Sequence, residues 1–152
     1  MNEQEMYPII EAFLEEKGYK TLVKHRFYKT EIRADIGQGY IELDVVGYKD
    51  DIAWIIECKV PCTIEQFGFA VGQLICYKFI FDTKPELLSE KIGKKVKTRY
   101  SIALLTTETY QLTNTLLETF KTILHSNNLK FGLLIVNDKS KEAKDAFLGV
   151  KD

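Results

Sequence analysis

Two short apolar runs, residues 40–48 and 52–60, flank the polar segment Lys49-Asp50-Asp51. Runs of this length with a polar turn between them predict a β-hairpin. Pro61 has no amide hydrogen to give to a sheet, so it ends the second strand. The hairpin constrains everything else because each run carries an acid inside it. Asp44 lies within Ile41-Glu42-Leu43-Asp44-Val45-Val46-Gly47, and Glu57 within Trp54-Ile55-Ile56-Glu57-Cys58-Lys59. A carboxylate surrounded by apolar side chains loses stability unless something compensates it.

Side chains alternate along a strand, so Glu57 and Lys59 share a face while Ile56 and Cys58 take the other. Pairing symmetric about Asp50-Asp51 sets Asp44 opposite Glu57, at a separation of roughly 5 Å. Two carboxylates so placed repel each other, and a divalent cation between them turns that repulsion into a site. Mg²⁺ takes oxygen ligands, few of them protein carboxylates, and keeps several waters. Asp44, Glu57, the backbone carbonyl of Cys58 and waters meet that requirement. Lys59 would present an ammonium on the same side, placed to hold a water or hydroxide. Each part alone has a plainer reading: Glu-x-Lys on a strand is often a surface ion pair, and an aspartate ahead of a turn is often incidental. An aspartate on one apolar strand, Glu-x-Lys on the next, and a register joining them form a more specific pattern.

The remaining pattern is legible in outline. Met6, Ile9, Ile10, Phe13 and Leu14 recur at helical spacing, predicting a helix over 3–17 that Gly18 stops. A first strand is expected over 21–28, then a less regular stretch over 30–39 with a turn at Gly37 and Gly39. Thr63-Ile64-Glu65-Gln66 has the capping-box form and opens a helix to about residue 81. That helix is apolar on most sides, which predicts a place deep against the sheet, with Gly68 and Gly72 serving core packing. Asp82-Thr83-Lys84-Pro85 breaks it before a further short helix. A strand over 100–106, an amphipathic helix over 109–127 and a final strand over 131–136 follow, with a short helix expected in the tail from Asp138. The order α, β, β, β, α, (α), β, α, β predicts one α/β domain over 1–152, a mixed central β-sheet flanked by helices on both faces.

At 152 residues the chain suits a single core. Its net charge of −1 argues against a protein that coats DNA through charge alone, but leaves an enzyme open. Two basic clusters, Lys20, Lys24, His25, Arg26, Lys29 and Lys91, Lys94, Lys95, Lys97, Arg99, suit either phosphates or a solvated surface. Cys58, Cys62 and Cys76 are too few for a disulfide framework and read as small buried side chains. The polar, acidic N-terminus is not a signal peptide, and no apolar run is long enough to span a bilayer, so a cytoplasmic protein without a membrane partner is expected. No Gly-rich phosphate loop, dinucleotide fingerprint or Ser-His-Asp arrangement is present.

Leu43-Asp44 followed by Glu57-Cys58-Lys59 on the next strand resembles the PD-(D/E)xK, restriction-endonuclease-like nuclease superfamily, with Leu43 where the family has proline. In the following helix, Gln73-Leu74-Ile75-Cys76-Tyr77 looks like the Gln-x-x-x-Tyr motif of RecB-type exonucleases, though an amide–phenol pair in a core helix would read the same way. The resemblance implies an αβββαβ core, Mg²⁺ or Mn²⁺, and hydrolysis of phosphodiester bonds in DNA. It implies catalytic roles for Asp44, Glu57, Lys59, Gln73 and Tyr77. It also implies a helical glutamate in the metal shell, Glu11 before Glu15, with an ordinary solvated glutamate as the alternative. Resolvases, exonucleases, restriction enzymes and excision-control proteins share the core. The small resolvases commonly act as homodimers. A chain this short favours structure- or end-directed cutting over sequence-specific cutting by a monomer. The competing expectation is a non-cutting accessory protein of the same fold that binds nucleic acid or a protein partner.

Overall fold

The structure, a computed structural model, describes residues 1–22, 30–33 and 40–147, with side chains for 1–22 and 42–147. The expected strand residues 23–28, the turn at Gly37 and Gly39, and Lys24, His25, Arg26 and Lys29 of the first basic cluster lie outside the described residues.

Asn2 starts α1 (Glu3–Glu16) with a complete capping box: its side chain accepts from the Glu5 amide at 3.0 Å, and Glu5 reaches back to the Asn2 amide. Gly18, at φ +88°, takes the chain out of the helix. The strands are β1 (Lys20–Thr21), β2 (Thr30–Arg33), β3 (Tyr40–Leu43), β4 (Val45–Lys49) and β5 (Ile52–Lys59). Then come α2 (Ile64–Thr83), α3 (Glu86–Ile92), β6 (Lys97–Thr106), α4 (Asn114–Ser126), β7 (Gly132–Asn137) and β8 (Glu142–Phe147). Six strands form one mixed sheet in the order β1-β4-β5-β6-β7-β8, and β2 pairs with β3 separately. β5, β6 and β7 run parallel to one another, and the other pairs are antiparallel. The run α1, β1, β4, β5, α2, β6 is the expected αβββαβ core.

The central strands are covered on both faces, which is why they are almost wholly apolar. On one face, Met6, Tyr7, Ile10 and Leu14 of α1 pack on Trp54, Ile56 and Cys58. On the other, Phe67, Leu74 and Phe81 of α2 join Ile55, Ile102 and Phe120. Gly47 lets α1 approach β4: a Cβ there would stand 2.9 Å from Cδ1 of fully buried Leu14. Gly47→Val should therefore destabilise the fold by about 2 kcal/mol, read as a lower urea midpoint with unchanged slope. Among the described residues no helix is long and apolar enough to cross a membrane.

Several expectations need correction. Residues 30–33 form a strand, because β3 is available to pair with them. The run 40–48 is two strands, broken at Asp44. α4 starts at Asn114, not 109: the Thr113 hydroxyl accepts from the Leu116 amide as N-cap, while Thr107 closes a turn with Tyr110 upstream. β7 is not the last strand, and the tail is not a helix there. Asn137 accepts from the amides of Lys139 and Ser140, turning the chain into β8. Finally, α2 buries only one stripe: Phe67, Ala70, Leu74, Tyr77 and Phe81. Phe69, Ile75 and Phe79 of its other side are exposed, Cys76 is exposed rather than buried, and no described residue packs on Gly68 or Gly72.

Candidate active site

The β4–β5 hairpin has the expected register, from Val45 opposite Ile56 to Lys49 opposite Ile52, with Asp50 at φ 54° in the turn. One step beyond the last pair stand Asp44 and Glu57. The ladder stops there because the Asp44 side chain replaces a backbone acceptor: its Oδ2 takes the Cys58 amide hydrogen at 2.8 Å. Its Oδ1 accepts from the Tyr7 hydroxyl of α1 at 3.0 Å. Both acids are buried, Asp44 at 8 % and Glu57 at 3 % exposure. Lys59 Nζ lies 3.7 Å from Glu57 Oε2.

Burial is the main reason the Glu57 carboxyl is pushed up to about 9, and the adjacent Asp44 charge and their hydrogen bond add to it; Lys59 opposes the shift. At neutral pH Glu57 therefore holds a proton against Asp44. The same burial, with Asp44 next in importance, raises the Tyr7 phenol and the Cys58 thiol above their ordinary ranges. Burial, then the Glu57 and Asp44 charges, raises the Tyr77 phenol, against the pull of the Gln73 amide.

These groups line a cavity of about 800 Å³ between the start of α1, the sheet and α2. Gln73 and Tyr77 form one wall. The Tyr77 hydroxyl donates to the Glu42 carbonyl at 3.0 Å, tying α2 to the strand that delivers Asp44. The Oε1 of Gln73 is buried and finds no hydrogen-bond partner among the described residues. Cys58 is not among the lining residues: its amide donates to Asp44, and its side chain lies in the core on the α1 face. Asp44, Glu57, Lys59, Gln73 and Tyr77 are thus brought together around one cavity.

Glu11 is not. It accepts from the Thr21 hydroxyl at 2.7 Å, joining α1 to β1, and the helical acid on the cavity is Glu3. Glu3, Tyr7 and Glu11 follow one helical stripe, but eight residues of helix separate the two glutamates along the axis by about 12 Å. Tyr7 and Glu3 were missed from the sequence. A tyrosine on the apolar stripe was the available signal, since a buried phenol needs a partner.

Among the described residues no three Asp, Glu, His or Cys side chains are arranged to share an ion. Asp44 and Glu57 stand side by side on the cavity with Gln73 in its wall, and oxygen donors of this kind are those a hard cation that keeps its waters would take.

Two solved structures share this fold. One is an XisH family protein from Nostoc punctiforme, with TM-score 0.57 and 15 % identity over 95 % of this chain and 99 % of that one. The other is an fdxN element excision controlling factor protein from Anabaena variabilis, with TM-score 0.53 and 16 % identity over 92 % of this chain and 95 % of that one. At such identities the likeness is one of fold. No protein-family model matches the sequence, and no curated protein does.

Proposed function

We propose that this chain is a divalent-metal-dependent nuclease that hydrolyses phosphodiester bonds in DNA, directed by structure or ends rather than by sequence. The observation that carries the proposal is the buried Asp44–Glu57 contact with Lys59 beside it, at the base of an open cavity. Asp44, Glu57 and the Cys58 carbonyl would hold Mg²⁺ or Mn²⁺. Such an ion supplies Lewis-acid polarisation of a phosphoryl oxygen and a more acidic bound water. The chain does the rest. Tyr7 and the Cys58 amide fix the Asp44 carboxylate, and Glu57 would release its proton to solvent on holding the ion. Lys59 orients the attacking water against the phosphate, and Tyr77 holds the strand ahead of Asp44. Gln73 offers its unpartnered oxygen to a water or ligand in the cavity.

The test is a cleavage assay on linear, nicked and branched DNA, with a labelled RNA alongside, in Mg²⁺, Mn²⁺ and EDTA. Wild-type protein should cut DNA with metal only. Lys59→Ala should lose about 10²-fold in rate while keeping its melting temperature. Cutting that survives EDTA, or that Lys59→Ala leaves intact, would remove the proposal.

A second reading is a non-cutting accessory protein. It is favoured by one fold neighbour being described as an excision controlling factor. DNA binding without any metal-dependent cutting would select it.

A further inference from the structure

The basic cluster that runs into β6 takes no part in the site described above. Lys97 and Arg99 of that cluster, with Lys78 of α2 and Lys130 ahead of β7, border a second cavity of about 810 Å³. It shares no described lining residue with the cavity that holds Asp44 and Glu57. It lies towards the other end of β5 and β6, since Tyr100 pairs with Ile55, four residues before the Lys59–Leu104 pair, a span of roughly 13 Å. Its floor is buried and mostly apolar: Phe81, Leu88, Tyr100 and Phe131 are each no more than 5 % exposed. The Tyr100 hydroxyl nevertheless finds no hydrogen-bond partner among the described residues. Burial pushes this phenol up to about 12, and the nearby Thr98 side chain opposes the rise without standing in hydrogen-bond geometry. A buried hydroxyl left without a partner destabilises a fold. In the wall of a cavity it offers a place for a ligand's polar atom.

The rim has the opposite character. Among the described lining residues Asp82 is the one acid, against four cations. Lys78 is paired with Asp82, and the Arg99 guanidinium lies 3.9 Å from the centre of the Trp54 ring. Lys97 and Lys130 are exposed, and their side chains have no partner among the described residues. Two such ammonium groups beside an apolar floor favour an anion with an apolar body. Among the described lining residues there is no Gly-rich amide cradle and no uncommitted arginine fork to grip a phosphate. A carboxylate needs only the lysines. We propose that this cavity binds a small aryl carboxylate, with its ring on Phe81, Leu88 and Phe131, its carboxylate at Lys97 and Lys130, and a polar atom at its far end on the Tyr100 hydroxyl. The proposal is independent of the hydrolase reading.

Isothermal titration calorimetry of the full chain tests it with three probes: p-coumarate, cinnamate, which lacks the hydroxyl, and p-coumaryl alcohol, which lacks the carboxylate. p-Coumarate should bind at least ~10-fold more tightly than either. Tyr100→Phe should erase its advantage over cinnamate. The same variant should raise the melting temperature of the free protein by about 2–4 °C, because the stranded hydroxyl is gone. Lys97→Gln combined with Lys130→Gln should erase the advantage over the alcohol and leave the melting temperature unchanged. No heat from p-coumarate at millimolar concentration, equal affinity for all three probes, or a lower melting temperature in Tyr100→Phe overturns the proposal. So does duplex DNA that loses affinity with the lysine pair while no probe binds, which would make the rim a phosphate contact.

Discussion

Asp44→Asn should abolish metal-dependent DNA cleavage, with a loss on the order of 10³-fold. The reason is local. One Asp44 oxygen accepts from the Tyr7 hydroxyl and the other from the Cys58 amide. An asparagine can keep its oxygen on the Cys58 amide, but its NH₂ then donates to the Tyr7 hydroxyl, whose own hydrogen loses its acceptor. A buried donor left unsatisfied destabilises by about 1–3 kcal/mol, and unfolding in urea should show that loss. The charge leaves as well, so the group that pairs with Glu57 across the hairpin becomes neutral. Mn²⁺ titrated calorimetrically should bind wild type and show no heat with this variant. Full cleavage by Asp44→Asn would contradict the proposed site outright.

The second large effect concerns pH. The Glu57 carboxyl is raised from 4.5 to about 9 in the folded protein, chiefly by burial and then by Asp44. A raised value means the folded state holds this proton more tightly than the unfolded chain does. The stability it contributes is full below pH about 4.5 and is lost progressively as the pH rises through 9. Glu57→Gln keeps the shape and cannot ionise. In EDTA the variant should match wild type near pH 4.5 and exceed it at pH 8 by on the order of 5 kcal/mol, with the gap widening towards pH 9. Urea unfolding at four pH values measures this directly. Mg²⁺ should reverse the order by stabilising wild type only, with about one proton released per ion bound near pH 7, detected as buffer-dependent binding heat. Parallel pH profiles for the two proteins would show that Glu57 is not held protonated.

The hairpin was readable because its signals are local. Two apolar runs, a turn of suitable residues and period-two alternation set the register, and the register puts Asp44 beside Glu57 whatever the rest of the chain does. The direction of Lys59 followed from the same alternation. Gln73 and Tyr77, four apart on one helix, were bound to share a face. Errors arose where local pattern met a competing partner. The apolar outer side of α2 looked like core by composition, but a helix lying on a sheet buries one stripe, and nothing described covers the rest. The start of α4 moved because Thr113, not an earlier residue, supplies the cap.

Chain order and alternation by themselves determined the mixed sheet with helices on both faces, and the pairing of two acids across one turn. Only the packed molecule decided which helical residues meet those acids. A helix repeats every turn, so Glu3, Tyr7 and Glu11 are equivalent in periodicity, and the height at which α1 docks over Gly47 and Trp54 selects the first two. The upward push on the Glu57 carboxyl was likewise a tertiary outcome, because it depends on how completely the surrounding core excludes water.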